Sequence, residues 1–365
     1  MSTDKVARLE RNIAAHFNRS HCVLLGSGTT ALLCAFAYIQ SQSDKNKTDV
    51  LFPEITCETA VNAAIFAGFT PRFCDVSRTS YVMSPFQVCS IEALGTLAAI
   101  VPTHIFGHLS DVSSIEKQLN LPIPCIEDAA QGYGGVLGNR ISGSMGLASV
   151  ISFGPGKLLD CGGGGALLSD DISIVDFSRD IAKTFNIDPQ QRLLSRQCLM
   201  KEMLSAKKIF KHSRVDLLAA QHRALHINRH GYLSPFDSSL SASVQESLLN
   251  LNTIRDKRIE FTNRLDEKLE QHKAVSIPKR AGLPALWRYS VSIDNSIRIK
   301  KIEALKKQGY KVSKLFQPCS KKYSAESPQL QNSMSVSKSI ININFPKMTE
   351  SYSEAVDAIS RVFNT

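Results

Sequence analysis

Apolar positions run along the chain in two rhythms. Residues 5–17 place Val6, Leu9, Ile13 and Phe17 on one helical stripe, which predicts an amphipathic opening helix. Short apolar runs at 22–25, 50–52, 72–75 and 98–102 then alternate with helix-compatible stretches at 31–39, 56–67 and 111–119. Strands and helices alternating every ~20 to 30 residues predict βαβ units on a mainly parallel sheet. Two further buried-strand runs, 123–126 and 148–153, continue that sheet. From 172 to 225 helical periodicity dominates, and 240–264 reads as one long helix. The tail reads strand (286–293), helix (302–308), strand (340–345) and helix (351–363), with the charged segment 321–338 as a loop. The expectation is an α/β protein with two units: 1–239 as a large domain, and 240–365 as a linking helix and a small C-terminal α/β domain.

Three strand ends carry chemistry. The run 123–126 stops at the acids Glu127 and Asp128, with Gln131 one helical turn on. The run 148–153 carries Ser152, and Lys157 follows the turn residues Gly154, Pro155 and Gly156. Ligands of open α/β sheets sit outside the carboxyl ends of the strands, so this carboxylate and this amine are expected to face one pocket. The run 22–25 feeds Gly26, Ser27, Gly28, Thr29 and Thr30 at the start of a helix, an arrangement that suits a phosphate. A lysine that forms a Schiff base with pyridoxal phosphate needs a fixed position and a lowered pKa. The ring nitrogen needs a buried carboxylate to hold its proton. Lys157 and Asp128 match these needs, Gln131 matches a contact to the phenolic oxygen, and Gly28, Thr29 and Ser152 match a phosphate cup. Each also has a plainer reading. Ser and Thr cap helices without a ligand, Asp128 can be a cap, Ser152 a turn residue and Lys157 a solvated amine. His104, at another strand end, faces either the pocket or the core.

Composition narrows the partners. With 43 basic and 33 acidic side chains the net charge is +10, which suits an anionic small substrate, a nucleic acid or an ordinary basic surface. Basic residues thicken in the carboxyl half (Lys201, Lys207, Lys208, Lys211, Lys300, Lys301, Lys306, Lys307) within helical spacing, and no zinc-finger or RNP-type motif accompanies them, so no nucleic-acid partner is expected. Nine cysteines, an odd number without a CxxC pair, indicate neither a disulfide framework nor a metal site, and a reducing cytoplasm is the simple reading. The first residues lack a signal-peptide stretch and the longest apolar run, 93–102, is too short to cross a bilayer, so no membrane association is expected.

The motifs GSGTTAL (26–32), PEITCETA (53–60), IEDAAQGYG (126–134), SFGPGK (152–157) and GGGGALLSDD (162–171) occur in an order that resembles the DegT-type, fold-type-I aminotransferases acting on nucleotide-linked keto sugars. LERNIAAHF (9–17) and QGYKVSKLFQP (308–318) are similar to that family's opening helix and small-domain strand. The resemblance implies a pyridoxal-phosphate aminotransferase with Lys157 as the Schiff-base lysine, Asp128 as pyridinium partner, Gln131 at O3′, and Gly28, Thr29 and Ser152 at the phosphate. It also implies glutamate as amino donor, a keto-sugar acceptor, and a homodimer with its sites at the subunit interface. The chain departs from the family pattern at Cys57 (usually an aromatic ring over the cofactor), Tyr133 (histidine), Leu158 (asparagine), Gly163 (glutamate) and Ser238 (the asparagine offered to the partner subunit). These departures motivate a second reading, a cofactor-binding or interaction homologue without turnover. A sugar dehydratase or other lyase is a third, against which Lys157 speaks, since the dehydratase branch would have histidine there.

Overall fold

The computed structural model describes residues 2–89, 91, 94–119, 121–185, 188–210, 212–323, 330–347 and 351–364. The opening helix, Ser2–His16, buries Leu9, Ile13 and Ala14, with Phe17 beyond its end, and so lays the expected stripe on the body. Thirteen strands follow among the described residues: β1 (His21–Leu25), β2 (Asp49–Pro53), β3 (Thr70–Cys74), β4 (Leu97–Ile100), β5 (Ile126–Asp128), β6 (Val136–Leu137), β7 (Arg140–Ile141), β8 (Ala148–Ser152), β9 (Gly165–Ser169), β10 (Val275–Ser276), β11 (Tyr289–Ile293), β12 (Val312–Ser313) and β13 (Ile340–Ile343).

The large sheet is built from two runs, β1-β9-β8-β5 and β3-β2-β4. Parallel bridges from Ile100 to Cys125 and from Thr103 to Asp128 join them. β5 and β8 pair in parallel, as do β2 with β3 and with β4, whereas β9 runs against both β1 and β8. The sheet is thus mainly parallel with one reversed strand, as expected. Helices Gly28–Gln42 and Glu58–Phe66 cover it, and their apolar residues share one core with β1, β2 and β8. Phe36 sits there at 0% exposure, edge-on to Phe52 at 6.1 Å.

The small sheet, β10-β11-β13-β12, is antiparallel. It has its own core of Phe261, Leu265, Tyr289, Val291, Ile341, Ile359 and their neighbours. The segment 240–264 is two helices, Ser241–Leu249 and Leu251–Leu269, that meet at Asn250, so the single long helix is corrected. Val244, Leu248 and Leu251 bury in a core with Tyr133 and Phe153, while Phe261, Leu265 and Leu269 bury in the small one. We propose the division at 239/240 on that basis, with the helix pair as the link.

A second correction concerns 321–338. Gln331–Ser339 is a helix, and Ser320–Tyr323 forms a helical turn before it, while 324–329 lie outside the described residues. Asp75, at the end of β3, supplies the missing cap: its carboxylate accepts from the amides of Asn332 (3.0 Å) and Ser333 (2.8 Å). A helix start capped by a residue more than two hundred positions away leaves no local signal.

Candidate active site at the carboxyl ends of the strands

Asp128 ends β5 at 4% exposure, held by its amide donating to the Pro102 carbonyl and its carbonyl accepting from the His104 amide (3.0 and 3.1 Å). The Ala130 amide donates to one carboxylate oxygen at 3.1 Å. Burial pushes the Asp128 pKa up; the Lys157 ammonium, the Ala130 amide and His104 pull it down without cancelling the rise. Lys157 follows β8, the strand that pairs in parallel with β5, so the amine and the acid belong to neighbouring strand ends.

Its neighbour Glu127 is a different kind of acid. Its carboxylate accepts from His104 Nε2 (2.7 Å), the Gly143 and Met145 amides (2.9 and 2.8 Å) and the Ser149 hydroxyl (2.6 Å). Burial raises its pKa, but these donors overcome that and hold it below the usual value. His104 Nδ1 accepts from the Ser110 amide at 3.0 Å, which assigns the Nε2–H tautomer by its hydrogen bonds. The structure thus places His104 in the core, at 0% exposure, where it braces Glu127.

Gln131 is buried, and its Oε1 accepts from the Phe106 amide at 2.9 Å. That bond turns the side chain so that its NH2 group is the donor end, the end a phenolic oxygen would need. Phe106 holds φ 56 to make this contact.

Ser152 ends β8, and Gly28 opens the helix Gly28–Gln42. These residues, distant in sequence, are in contact: a Cβ on Gly28 would stand 3.0 Å from the Ser152 Cβ and 3.4 Å from its hydroxyl. Glycine is needed at 28 so that the helix start can approach β8 this closely. Ser27 caps the helix through Thr30 at 3.1 Å, and Thr29, half-buried, lines a cavity at its start. The free helix start and the Ser152 hydroxyl meet here, and Lys157 and Asp128 stand at the neighbouring strand ends. These residues fit pyridoxal phosphate.

Lys157 sits on the loop after β8. Asp160 pins that loop by accepting from the amides of Gly156 (2.7 Å) and Gly162 (3.1 Å). Leu158 and Leu159 bury beneath it, and the Leu159 amide donates to the Tyr133 hydroxyl at 2.8 Å. Tyr133, at 0% exposure, is therefore the anchor of the lysine loop. Cys57 precedes the helix Glu58–Phe66 with its Sγ 3.2 Å from the Thr59 hydroxyl, Gly163 lies near Leu240, and Ser238 is exposed in a short turn.

Trp287 and Arg288 stand beside the lysine loop. The Lys157 Nζ lies 5.3 Å from the Trp287 ring centroid, and the indole N–H donates to the Gly156 carbonyl. Trp287 stacks on Phe316, which stacks on Phe106. Arg288 lies over the Trp287 ring at 4.2 Å, with its Nη2 4.0 Å from a Cβ built at Gly156. Burial, aided by Arg258, lowers its pKa to about 10. Trp287 is the chain's single tryptophan, a signal available in the sequence.

Comparison with known proteins agrees with this geometry. The model of the DegT/DnrJ/EryC1/StrS aminotransferase family matches residues 1–362. Among curated proteins, the 3-amino-5-hydroxybenzoate synthase of Amycolatopsis mediterranei is 29% identical over 47% of this chain and 43% of its own length. The GDP-perosamine synthase of Caulobacter vibrioides is 27% identical over 51% of this chain and 49% of its own. The chain spans about half the length of the curated relatives it matches. In solved structures the likeness runs end to end. An aminotransferase from Brucella abortus aligns over 99% of this chain and 89% of its own with TM-score 0.77 and 22% identity. DesV of S. venezuelae, solved with a ketimine intermediate, aligns over 99% and 90% with TM-score 0.77 and 19% identity. The fold is that of fold-type-I aminotransferases. With the family model spanning residues 1–362, the chain belongs to the DegT/DnrJ/EryC1/StrS aminotransferase family.

Proposed function

We propose that the protein is a pyridoxal-phosphate-dependent aminotransferase that moves an amino group from an amino acid, glutamate by preference, to the carbonyl of a nucleotide-linked keto sugar. The observation that carries this reading is the buried Asp128 at the end of β5 beside β8, the parallel strand that leads into Lys157. Bound there, the cofactor supplies an electron sink for the bond broken at the donor's α-carbon. Asp128 holds the ring-nitrogen proton from a buried position, Gln131 donates to the phenolic oxygen, and Gly28, Thr29 and Ser152 receive the phosphate. Lys157 would serve as the general base and acid for the proton at the donor's α-carbon. Arg288, at the mouth beside Gly156, receives the donor's carboxylate as a charge-assisted pair.

We further propose a homodimer. Leu193, Leu194, Met200, Leu204, Ile209, Val215 and Ile227 stand exposed on the helices Pro189–Ile209 and Arg214–Ile227, an apolar surface that a second copy can cover. A cytoplasmic home fits nine cysteines that are all unpaired. No helix among the described residues is long and apolar enough to cross a membrane, and none of their His, Cys, Asp and Glu side chains gather in threes around a metal position.

The test is spectroscopic. Purified protein with pyridoxal phosphate develops the long-wavelength absorbance of a lysine-linked cofactor, glutamate bleaches it, and a screen of nucleotide-linked keto sugars restores it with an aminated product seen by mass. Absorbance that no amino acid bleaches would leave the chain a cofactor-binding homologue without turnover.

A further inference from the structure

The helix Pro189–Ile209 carries Arg192 and Arg196 on successive turns. Both line a cavity of about 400 Å³ whose other walls include Ser27, Gly154 and Gly163. Arg196 also lines the neighbouring cavity of about 330 Å³ together with Thr29. It therefore stands over the start of helix Gly28–Gln42, with Ser27 on one side and Thr29 on the other.

The position of Arg196 is built. Its Nε donates to the Gly231 carbonyl at 3.0 Å, and a Cβ on Gly231 would stand 3.1 Å from the Arg196 Cγ, so glycine there lets the side chain lie flat against the turn. Its terminal nitrogens are left for another partner. Among the described residues neither arginine meets a carboxylate. The nearby acids are engaged elsewhere: Glu58 with Lys322, Glu202 with Asn228, and Asp160 with the amides of its own loop. Two guanidinium groups four residues apart repel one another. Burial, then the charge of Arg196, lowers the Arg192 pKa. A half-buried and an exposed guanidinium, neither meeting a carboxylate, line a glycine-rich cavity at the positive end of a helix, an arrangement that an anion completes.

We infer that Arg192 and Arg196 form a phosphate-binding subsite supplied by the same subunit that carries Lys157. Its chemistry is that of phosphate oxygens carrying two negative charges, and two sources on the proposed reaction path supply them: the cofactor's own 5′-phosphate monoester, and the two singly charged phosphates of a nucleotide-linked acceptor's diphosphate. In naming these sources the inference rests on the functional reading above. It also gives a physical sense to the exposed Ser238, since charge on the hairpin would replace an amide offered from a second subunit.

The experiment compares the full-length wild type with R192Q, R196Q and the double variant, each checked by circular dichroism. Titration with pyridoxal phosphate and with phosphate-free pyridoxal is followed by absorbance, and calorimetry reads the binding of inorganic phosphate and of uridine diphosphate. If the subsite serves the cofactor, the double variant weakens pyridoxal phosphate at least roughly tenfold and leaves pyridoxal unchanged. If it serves the acceptor, both cofactor forms bind as before and uridine diphosphate weakens by a similar factor. In either case inorganic phosphate binds less tightly than to the wild type, and R192K with R196K recovers part of the loss. Unchanged affinity for all three phosphate compounds overturns the inference. If R196Q loses its fold with the Gly231 contact, R192Q alone carries the same comparison. A wild type that never gains the absorbance defeats the aminotransferase reading instead, while the phosphate and uridine diphosphate arms still decide this one.

Discussion

The floor of the pocket and the hairpin above it are built on opposite plans. On the floor, Asp128, Gln131 and Ser152 are at most 7% exposed, and each is set by backbone bonds at a strand end or a turn. The hairpin Pro189–Ile209 and Arg214–Ile227 buries Leu199, Met203, Ala224 and Leu225 in the core beneath and exposes a row of large apolar residues above. The difference teaches where each task resides. Proton transfer needs atoms fixed to a fraction of an ångström, which strand ends supply. Recognition of larger partners needs surface, which a helical pair supplies at little structural cost.

That contrast can be broken at several points. Lys157→Ala is expected to lose the long-wavelength absorbance and at least about 10³-fold in turnover while the circular dichroism stays as it was; a borohydride-reducible link surviving in this variant would remove Lys157 from its role. Asp128→Asn should bind cofactor yet fall about 10²-fold in kcat, because an amide cannot hold the ring proton. Near-normal turnover would show that the floor tolerates what we say it forbids. Arg288→Gln should raise the KM for the amino donor roughly tenfold, the loss of one charge-assisted bond, with the acceptor's KM unmoved.

Smaller effects sharpen the picture of the floor as a stability element. Glu54 is buried at the end of β2, its Oε1 accepts from the Ser320 amide and hydroxyl, and its Oε2 is without a partner. Burial, against the pull of Ser320, raises its pKa to about 7. The folded state then holds a proton that the unfolded chain releases above its ordinary value near 4.5. This contribution is full below that pH and is lost as pH rises through about 7. Thermal melts across that window should show stability falling, and Glu54→Gln should flatten the fall and gain about 2 kcal/mol at pH 8. Tyr133→Phe, which strands the Leu159 amide, should cost ~1 to 2 kcal/mol in denaturant melts and leave the absorbance in place. If it instead abolished the absorbance, Tyr133 would belong to the chemistry.

The floor was legible because its residues obey short-range rules. An apolar run must be a strand, its end must face the crevice, and Asp128, Ser152 and Lys157 each lie within a few residues of such an end. The parallel strands of the sheet followed from the same alternation, whereas β9, inside the motif at 162–171, was not read as a strand and runs against its neighbours. What could not be read was made by distance. The helix Gln331–Ser339 depends on a cap from Asp75, and the break at Asn250 separates side chains bound for two different cores. His104 was undecided until Glu127 and Ser110 were seen on either side of its ring. Trp287, with Arg288 over its ring, stands by Lys157 across about 130 positions of chain, a spacing that no local pattern records.

Glu54 and Asp75, neighbours at the ends of β2 and β3, grip Ser320, Asn332 and Ser333, and Val336 and Ile340 pack beside Ile55, Val76 and Phe106. Along this seam the later part of the chain is riveted to the earlier one. Opening of the cleft is therefore expected to leave this line fixed and to show as motion on the side where Trp287 stands by the lysine.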